Sequence, residues 1–462
     1  MREMRRSVDT RSDAVVLFGV TGDLVAKKLL PALYELARRD RLTGPVIGVG
    51  RSAWDDQQLI TAARKAVVET GRPVDEDAFE ALAGRLRMLS GDYADPETYG
   101  RLGELLADAK APLFYLAIPP VVFEPVVRGL AAAGLAERGR VVVEKPFGHD
   151  SASSAELAAT LRGAFAPEQT FRIDHYLGKE AIEGITALRF GNRVLEPLWS
   201  AEHIDNVQVT LAESFGTQGR AGFYDKVGAI RDVLQNHVLQ VVALLAMEPP
   251  ASADAAAFRD AEIEVLRRAE PLAPDATVRG QYAGYRDEPG VAAGSPTETY
   301  VATTVTIDTP RWAGVPFHLR TGKLLPATAT EVVVEFKPPS RALVDTADGA
   351  PNLLRLRLGK RDGITLSLQT KTPGVEVRTE PVELAVGYDE AFGARREAYE
   401  RLLDDAMDGR HLRFAHEETI EQEWRIVGPV LDLASEPHPY EEGSWGPAAA
   451  DDLVKVWHAP TA

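Results

Sequence analysis

The pattern of apolar residues changes near residue 200, and that change constrains the fold more than any other feature of the chain. Before it, short apolar runs alternate with stretches of helical spacing. Ala14 to Phe18 is a valine-bearing run that stops at Gly19 and Gly22, and Leu24 to Arg39 follows with Leu29, Leu33 and Leu36 at helical intervals. Pro45 opens a second run, Val46 to Gly50. Leu113 to Ile118 is a third, stopped by Pro119 and Pro120. Ala131 to Leu135 has helical character, and Arg140 to Val143 reads as a strand ending at Glu144. Strands alternating with helices build a parallel, doubly wound sheet. Beyond the change, Val207, Val209 and Leu211 alternate with polar residues, as do Leu354, Leu356 and Leu358, then Ile364, Leu366 and Leu368. Tyr300 to Ile307 and Val332 to Phe336 are further β-rich runs, and a long helix is expected from about Asp225 to Met247. Clustered period-2 runs predict an antiparallel sheet with one covered face. No internal repeat interrupts this order, and the alanine-rich stretch Ala251 to Ala257 reads as helix or loop rather than linker. The expected class is therefore α/β plus α+β: a doubly wound parallel sheet domain over residues 14–173, then a larger domain with a mainly antiparallel sheet over 174–462.

Composition removes several function classes. Lys and Arg number 52 against 69 Asp and Glu, a net charge of −17. Nucleic acid or an anionic membrane surface wants a basic face, so neither is an expected partner. No apolar stretch approaches the roughly 20 residues that cross a bilayer. Cysteine is absent, which excludes disulfides, thiolate metal sites and cysteine nucleophiles, and no metal site is expected. Met1 to Asp13 holds four arginines and no apolar core. It reads as a mobile tail on a cytoplasmic protein, not as a secretory signal.

An anionic small ligand remains possible where the chain is locally basic, and four segments offer such chemistry. Gly19-Val20-Thr21-Gly22-Asp23-Leu24 lies between a strand and a helix. Glycines there let the backbone approach a pyrophosphate, and the helix start offers free N–H groups, as in Rossmann-type domains. The G-x-x-G spacing is equally that of a tight turn with no ligand. The second strand ends at Gly50 and is followed by Arg51, where an NAD-selective site would carry an acid for the ribose 2′-hydroxyl. Arg51 suits a 2′-phosphate instead, which points to NADP.

Glu144-Lys145-Pro146-Phe147-Gly148 stands at a strand end, where ligands bind in open α/β sheets. Lys145 there can meet a sugar hydroxyl or a cofactor carbonyl, or be an exposed turn lysine. Arg172 to Glu180 (RIDHYLGKE) is the densest segment: six of its nine residues can ionise or donate from a ring. His175, Tyr176 and Lys179 form a donor set suited to a phosphate monoester, and Ile173 and Leu177 tether them to a core. If helix begins near Tyr176, Lys179 lies one turn along on the same side. The fourth segment is the helix around His237, whose buried stripe is Ile230, Leu234, Val241 and Leu244. His237 falls in that stripe, either as a core histidine or as a general base in a partly dry pocket. Asp174 is the candidate carboxylate to orient it. Asp232, five residues earlier, lies about 140° round an α-helix from His237, a poorer partner that could still meet a substrate hydroxyl.

With these segments in order, the chain resembles the glucose-6-phosphate dehydrogenase family over nearly its whole length. The resemblance is carried by Gly19 to Leu24, Phe114-Tyr115-Leu116-Ala117-Ile118-Pro119-Pro120, Glu144 to Gly148, Arg172 to Glu180 and Arg231-Asp232-Val233-Leu234-Gln235-Asn236-His237. Arg279-Gly280-Gln281-Tyr282, Arg320-Thr321-Gly322-Lys323 and Gly443-Ser444-Trp445-Gly446-Pro447 add to it. It implies oxidation of glucose 6-phosphate at C1 to 6-phosphogluconolactone with formation of NADPH. It implies His237 as the base and Asp174 as its orienting carboxylate. His175, Tyr176 and Lys179 match phosphate contacts, and Lys145, Glu213, Asp232 and Lys323 match positions near the sugar. Thr21 and Arg51 match holders of the NADP 2′-phosphate, Tyr115 matches a cofactor-lining position, and Gly19, Gly22, Asp23, Leu24 and Lys145 complete the cofactor set. The resemblance also implies a homodimer or homotetramer joined through the large sheet, which would serve both substrate binding and oligomerisation.

One stretch departs from that pattern. The family usually carries a basic residue shortly after the glycine–lysine pair, whereas Leu324 to Glu331 (LLPATATE) has none. Loss of one charge-assisted contact, worth about 1.5–3 kcal/mol, would raise KM roughly tenfold or more unless an arginine elsewhere compensates. The second, structural NADP of some animal members is not expected either. The same departure keeps open a sister dehydrogenase of another hexose 6-phosphate. A third reading, an inactive NADP-binding regulatory paralogue, requires loss of the base or clamp, yet His237, Asp174, His175, Tyr176, Lys145 and Lys179 are all present.

Overall fold

A computed structural model describes residues 11–341, 345–346, 350–359, 361–393 and 395–461. It divides into two compact units. The first comprises Met1–Lys179, Asp254–Ala256 and Arg396–Glu417; the second comprises Glu180–Ala253, Ala257–Arg395 and Glu418–Ala462.

The first unit is built on six parallel strands: β1 (Ala14–Phe18), β2 (Val46–Gly50), β3 (Leu86–Ser90), β4 (Pro112–Leu116), β5 (Arg140–Glu144) and β6 (Thr170–Ile173). Their order is β3-β2-β1-β4-β5-β6. β1, β2 and β4 are buried at every residue, as unbroken apolar runs in a helix-covered parallel sheet must be. The order reverses between β1 and β4, which opens a crevice beyond their carboxyl ends. The helix expected from Leu24 begins as a π-turn, Val25–Leu29, and becomes α-helical over Leu30–Arg38. The helical stretch near Ala131 is the end of the helix Phe123–Ala132.

A distant helix, Ala398–Asp408, completes this core: Leu402, Leu403, Ala406 and Met407 join Val15, Leu17 and Leu113 in one apolar cluster. Its other face carries Asp404, which pairs with Arg11 at 2.9 Å, Arg41 at 3.0 Å and Arg396 at 3.3 Å. Ser12 N donates to Met407 O at 2.7 Å. The Asp13 carboxylate accepts from Lys110 N at 2.7 Å and Ala111 N at 2.9 Å. Residues 11–13 of the expected tail are therefore anchored, a correction that follows from charges supplied far along the chain. Residues 1–10 lie outside the described residues.

Among the described residues the second unit holds ten strands: β7 (Ile204–Ala212), β8 (Thr277–Tyr282), β9 (Tyr300–Val305), β10 (Phe317–Gly322), β11 (Ala329–Phe336), β12 (Asp345–Thr346), β13 (Leu353–Arg357), β14 (Gly363–Lys371), β15 (Arg378–Gly387) and β16 (His438–Tyr440). They run in the order β12-β15-β14-β13-β11-β7-β10-β9-β8-β16. The sheet is mostly antiparallel, with parallel pairs at β7–β10, β12–β15 and β8–β16. One covered face describes β13, whose alternate residues are buried. It does not describe β7, where only Asp205 is exposed. There the polar alternates are covered too: Gln208 Nε2 donates to Val456 O at 2.9 Å, and Thr210 Oγ1 accepts from Arg320 Nε at 2.9 Å. The long helix expected over Asp225 to Met247 starts later, at Ile230, and is two windings. A short helix, Ala221–Tyr224, is followed after a turn by a π-helix, Ile230–Val238, which runs into an α-helix, Leu239–Ala246. Among the described residues no helix is long and apolar enough to cross a membrane.

Candidate functional site

In the first unit, the crevice beyond β1 and β4 is a cavity of ≈ 660 Å³ whose walls include Gly19, Thr21, Gly22, Arg51, Ser52 and Tyr93. Its floor depends on glycine. Gly19 has φ +80°, and a Cβ there would lie 2.3 Å from Ala117 O. Gly19 N donates to Tyr93 Oη at 2.8 Å and to Val49 O at 3.0 Å, so the turn is tied to β2 and to the loop after β3. Burial raises the Tyr93 phenol pKa, while the backbone N–H of Gly19 and the charge of Arg51 pull it down. Arg51 is exposed on the wall, with its guanidinium available to an anion. A glycine-floored crevice with an arginine on its rim fits a dinucleotide bearing a 2′-phosphate.

Three residues expected to serve the cofactor are not on the walls of this cavity. The Asp23 carboxylate is exposed and pairs with Lys27 at 2.8 Å, one helical turn on. Leu24 packs against the core. Tyr115 is fully buried, and its hydroxyl donates to Glu144 Oε1 at 2.5 Å; it is not among the cavity's lining residues. Its ring packs in the apolar cluster with Val15, Leu17 and Leu113.

At the ends of β5 and β6, pairing of Glu144 with Ile173 brings the two dense motifs side by side. Lys145 follows Glu144 and is joined to Pro146 by a cis peptide bond. Asp174 follows Ile173, is 1% exposed, and accepts from Tyr176 N at 2.9 Å. That bond turns the chain through residues 175–179, and the following helix starts only at Glu180. Lys179 therefore lies in a turn, not on the first turn of a helix. Lys179 N donates to Tyr176 O at 2.9 Å, and Lys179 Nζ stands 3.5 Å from the centre of the Tyr176 ring. The His175 ring lies 5.1 Å from Tyr176, edge to face, and 6.3 Å from Tyr399 at an interplanar angle of 10°. His175 and Lys179 stay half-exposed, so an imidazole, a phenol and an ammonium share one rim, a donor set for a phosphate monoester.

Behind this rim is a group that spacing and composition did not single out. Glu144 accepts hydrogen bonds from both Tyr115 and Tyr399. Although part of the residue reaches solvent, its carboxyl is surrounded by protein, and that burial raises its pKa to about 7. The two phenols and Lys145 hold it lower, and Asp174 pushes it up. Tyr399 arrives on the helix Ala398–Asp408, so nothing near Glu144 in sequence announces it.

The second unit brings together the remaining residues. β7 and β10 are parallel neighbours with Ala212 opposite Gly322. The next residue on each is therefore adjacent, and Lys323 Nζ meets Glu213 Oε2 at 2.5 Å. Lys323 Nζ also lies 4.7 Å from the centre of the Tyr224 ring. Tyr224 is buried, which drives its phenol pKa well up, with Asp232, Glu298 and Glu213 adding to the shift. Leu324, the first residue of the uncharged stretch, turns the chain with φ 52°, and Thr328 Oγ1 accepts from Ser214 N at 3.0 Å. His237 is 3% exposed within the π-helix, and Asp232 is half-exposed. The winding corrects the expected geometry. A π-helix bonds i to i+5, so residues five apart lie about one turn apart on the same side. Asp232 and His237 therefore share a face. The second unit thus offers a sheltered imidazole on the helix face that also carries Asp232, and an ammonium–carboxylate pair at the ends of β7 and β10, groups able to take a proton from a hydroxyl and to bind its neighbours.

Comparison with known proteins places these features in one family. The model of the glucose-6-phosphate dehydrogenase NAD binding domain matches residues 16–184, and that of the glucose-6-phosphate dehydrogenase C-terminal domain matches 186–458. The chain is 44% identical over 454 residues to glucose-6-phosphate 1-dehydrogenase 1 of Mycobacterium tuberculosis, covering 97% of each. The crystal structure of glucose-6-phosphate 1-dehydrogenase from Mycobacterium avium superposes with TM-score 0.90 at 45% identity, covering 98% of this chain and 99% of that one. A glucose-6-phosphate dehydrogenase in complex with its substrate glucose-6-phosphate superposes with TM-score 0.91 at 34% identity, covering 96% and 98%.

Proposed function

This chain belongs to the glucose-6-phosphate dehydrogenase family, and from that premise we propose that it oxidises D-glucose 6-phosphate at C1 with NADP, giving 6-phosphogluconolactone and NADPH. The reading is supported by two local donor sets, one suited to each ligand. The glycine-floored crevice with Arg51 on its wall suits the dinucleotide. His175, Tyr176 and Lys179 suit the substrate phosphate. Lys145, Glu213, Asp232 and Lys323 are assigned to the sugar, and Gly19, Thr21, Gly22 and Arg51 to the cofactor. His237 is assigned as the base that takes the C1 hydroxyl proton while hydride passes to the nicotinamide, which supplies the redox chemistry. Asp174 is assigned as its orienting carboxylate. A neutral histidine suits that step because its ordinary pKa, about 6.5, lets it accept a proton near neutral pH.

A homodimer or homotetramer joined through the large sheet is part of the same reading. It is supported by the outer end of that sheet, where Val382, Leu384 and Val386 of β15 are 47%, 58% and 51% exposed. Apolar residues clustered on one strand in this way mark a contact surface. A cytoplasmic setting is likewise proposed.

The experiment follows nicotinamide reduction by absorbance with glucose 6-phosphate, glucose, glucosamine 6-phosphate and fructose 6-phosphate, each with NADP and with NAD. Fast reduction with glucose 6-phosphate and NADP is expected. Reduction only with another hexose phosphate would instead make the uncharged stretch after Lys323 a change of specificity, and reduction with none would make the chain an inactive paralogue.

A further inference from the structure

A π-helix is a rare winding, and this one carries the residue assigned as the base, so something must hold it. Side-chain hydrogen bonds tie it. Asn236 folds its amide back into the helix: its Nδ2 donates to Arg231 O at 3.0 Å, and its Oδ1 accepts from His237 N at 2.7 Å. On the buried side stand Gln235, within the π-helix, and Gln240, the second residue of the α-helix that continues it. Both amides point at one carboxylate. Gln240 Nε2 donates to Glu423 Oε1 at 2.6 Å, and Gln235 Nε2 donates to Glu423 Oε2 at 3.4 Å. Gln240 makes the first bond at a cost, because its own Oε1 is buried without a partner. The Gln235 carbonyl in turn accepts from Asn236 Nδ2 at 3.5 Å, a long contact that links the carboxylate to the inserted amide. Glu423 lies on the helix Glu417–Val427 and is 1% exposed.

The geometry discriminates between windings. Five α-helical residues would turn Gln235 and Gln240 about 140° apart. The π-winding from Gln235 to Val238, closed by the Leu239 N–H on Leu234 O, narrows that angle, and both amides reach one carboxylate. We propose that Glu423 is a positioning residue for the base: by receiving Gln235 and Gln240 together it holds the π-winding, and so keeps Asp232 and His237 on one face. Relaxation to an α-helix would swing the imidazole away from the carboxylate that shares its face. The inference rests on the reading of His237 as the base.

The test compares wild type, Glu423→Gln and Gln240→Met, with Glu423→Asp as the conservative variant. The readouts are kcat, the KM for each substrate, melting temperature, and amide hydrogen exchange across residues 230–238. Misplacing a reacting group by an ångström costs about a hundredfold. Glu423→Gln and Gln240→Met should therefore lower kcat roughly 10- to 100-fold, leave the KM for NADP within about twofold, and speed exchange chiefly across residues 230–238. Glu423→Asp should recover part of the rate. Gln240→Met swaps one neutral side chain for another of similar size and decides the matter if a Glu423 variant does not fold. A kcat near wild type with unchanged exchange overturns the proposal. So does a loss spread evenly over kcat, both KM values and exchange throughout the unit, which would mark Glu423 as a prop of the fold alone. Near-normal turnover by His237→Asn would instead remove the base assignment, whatever the Glu423 variants do.

Discussion

Glu144 is the residue whose setting departs furthest from its sequence context. It sits in a motif read for its lysine, yet its carboxyl takes hydrogen bonds from two buried phenols and titrates near 7. The sign of the consequence follows from linkage. Folded Glu144 holds its proton up to about 7, whereas an ordinary glutamate releases it near 4.5. Between those pH values the unfolded chain binds fewer protons than the folded one, so this group makes stability fall as pH rises, by about 3 kcal/mol at most. Urea unfolding at pH 5 and pH 8 should show Glu144→Gln losing less stability over that interval than wild type. An identical loss in both proteins would contradict the shift. Arg51 makes a second residue-scale prediction. Arg51→Ala should raise the KM for NADP about tenfold or more, since a hydrogen bond between charged groups is worth about 1.5–3 kcal/mol, while the KM for NAD stays nearly unchanged. Equal effects on both cofactors would remove the 2′-phosphate role. Arg51 and His175 could be named as candidates because their chemistry stands out locally. Tyr399 could not, because what matters about it is the chain return that stacks it on His175 and bonds it to Glu144.

At the scale of elements, burial was easier to read than winding. The stripe Ile230, Leu234, Val241 and Leu244 is buried as its spacing demanded, and His237 with it. The same spacing gave the wrong angle between Asp232 and His237, because 100° per residue applies to an α-helix and this segment is π-wound. Apolar periodicity records which residues are inside. It does not record an amide inserted into the hydrogen-bond ladder, as Asn236 is here, or the carboxylate Glu423 that receives two glutamines. The turn at Asp174 shows the same limit: a side-chain acceptor for Tyr176 N delays the helix to Glu180. β7 shows the converse, since alternation predicted one dry face and the C-terminal segment covers the other through bonds to Gln208.

For the whole molecule, the alternation of strand and helix before residue 200 and the period-2 runs after it were enough for the class of each sheet, because layer architecture follows from which faces are apolar. The composition of each compact unit was not legible: Arg396–Glu417 returns to the first unit, and only its packing on β1 and β4 neighbours reveals this. The exposed apolar strand β15 leads to a prediction at this scale. Leu384→Asp places a charge at the centre of the proposed contact surface and should shift the protein to monomers by light scattering; an unchanged assembly would place the interface elsewhere. The central claim is that His237 removes the C1 hydroxyl proton during hydride transfer, and His237→Asn tests it most directly. With glucose 6-phosphate binding measured beside turnover, the account predicts a kcat lowered by about 10²–10⁴ and a dissociation constant within a few-fold of wild type. Turnover near wild type would contradict it.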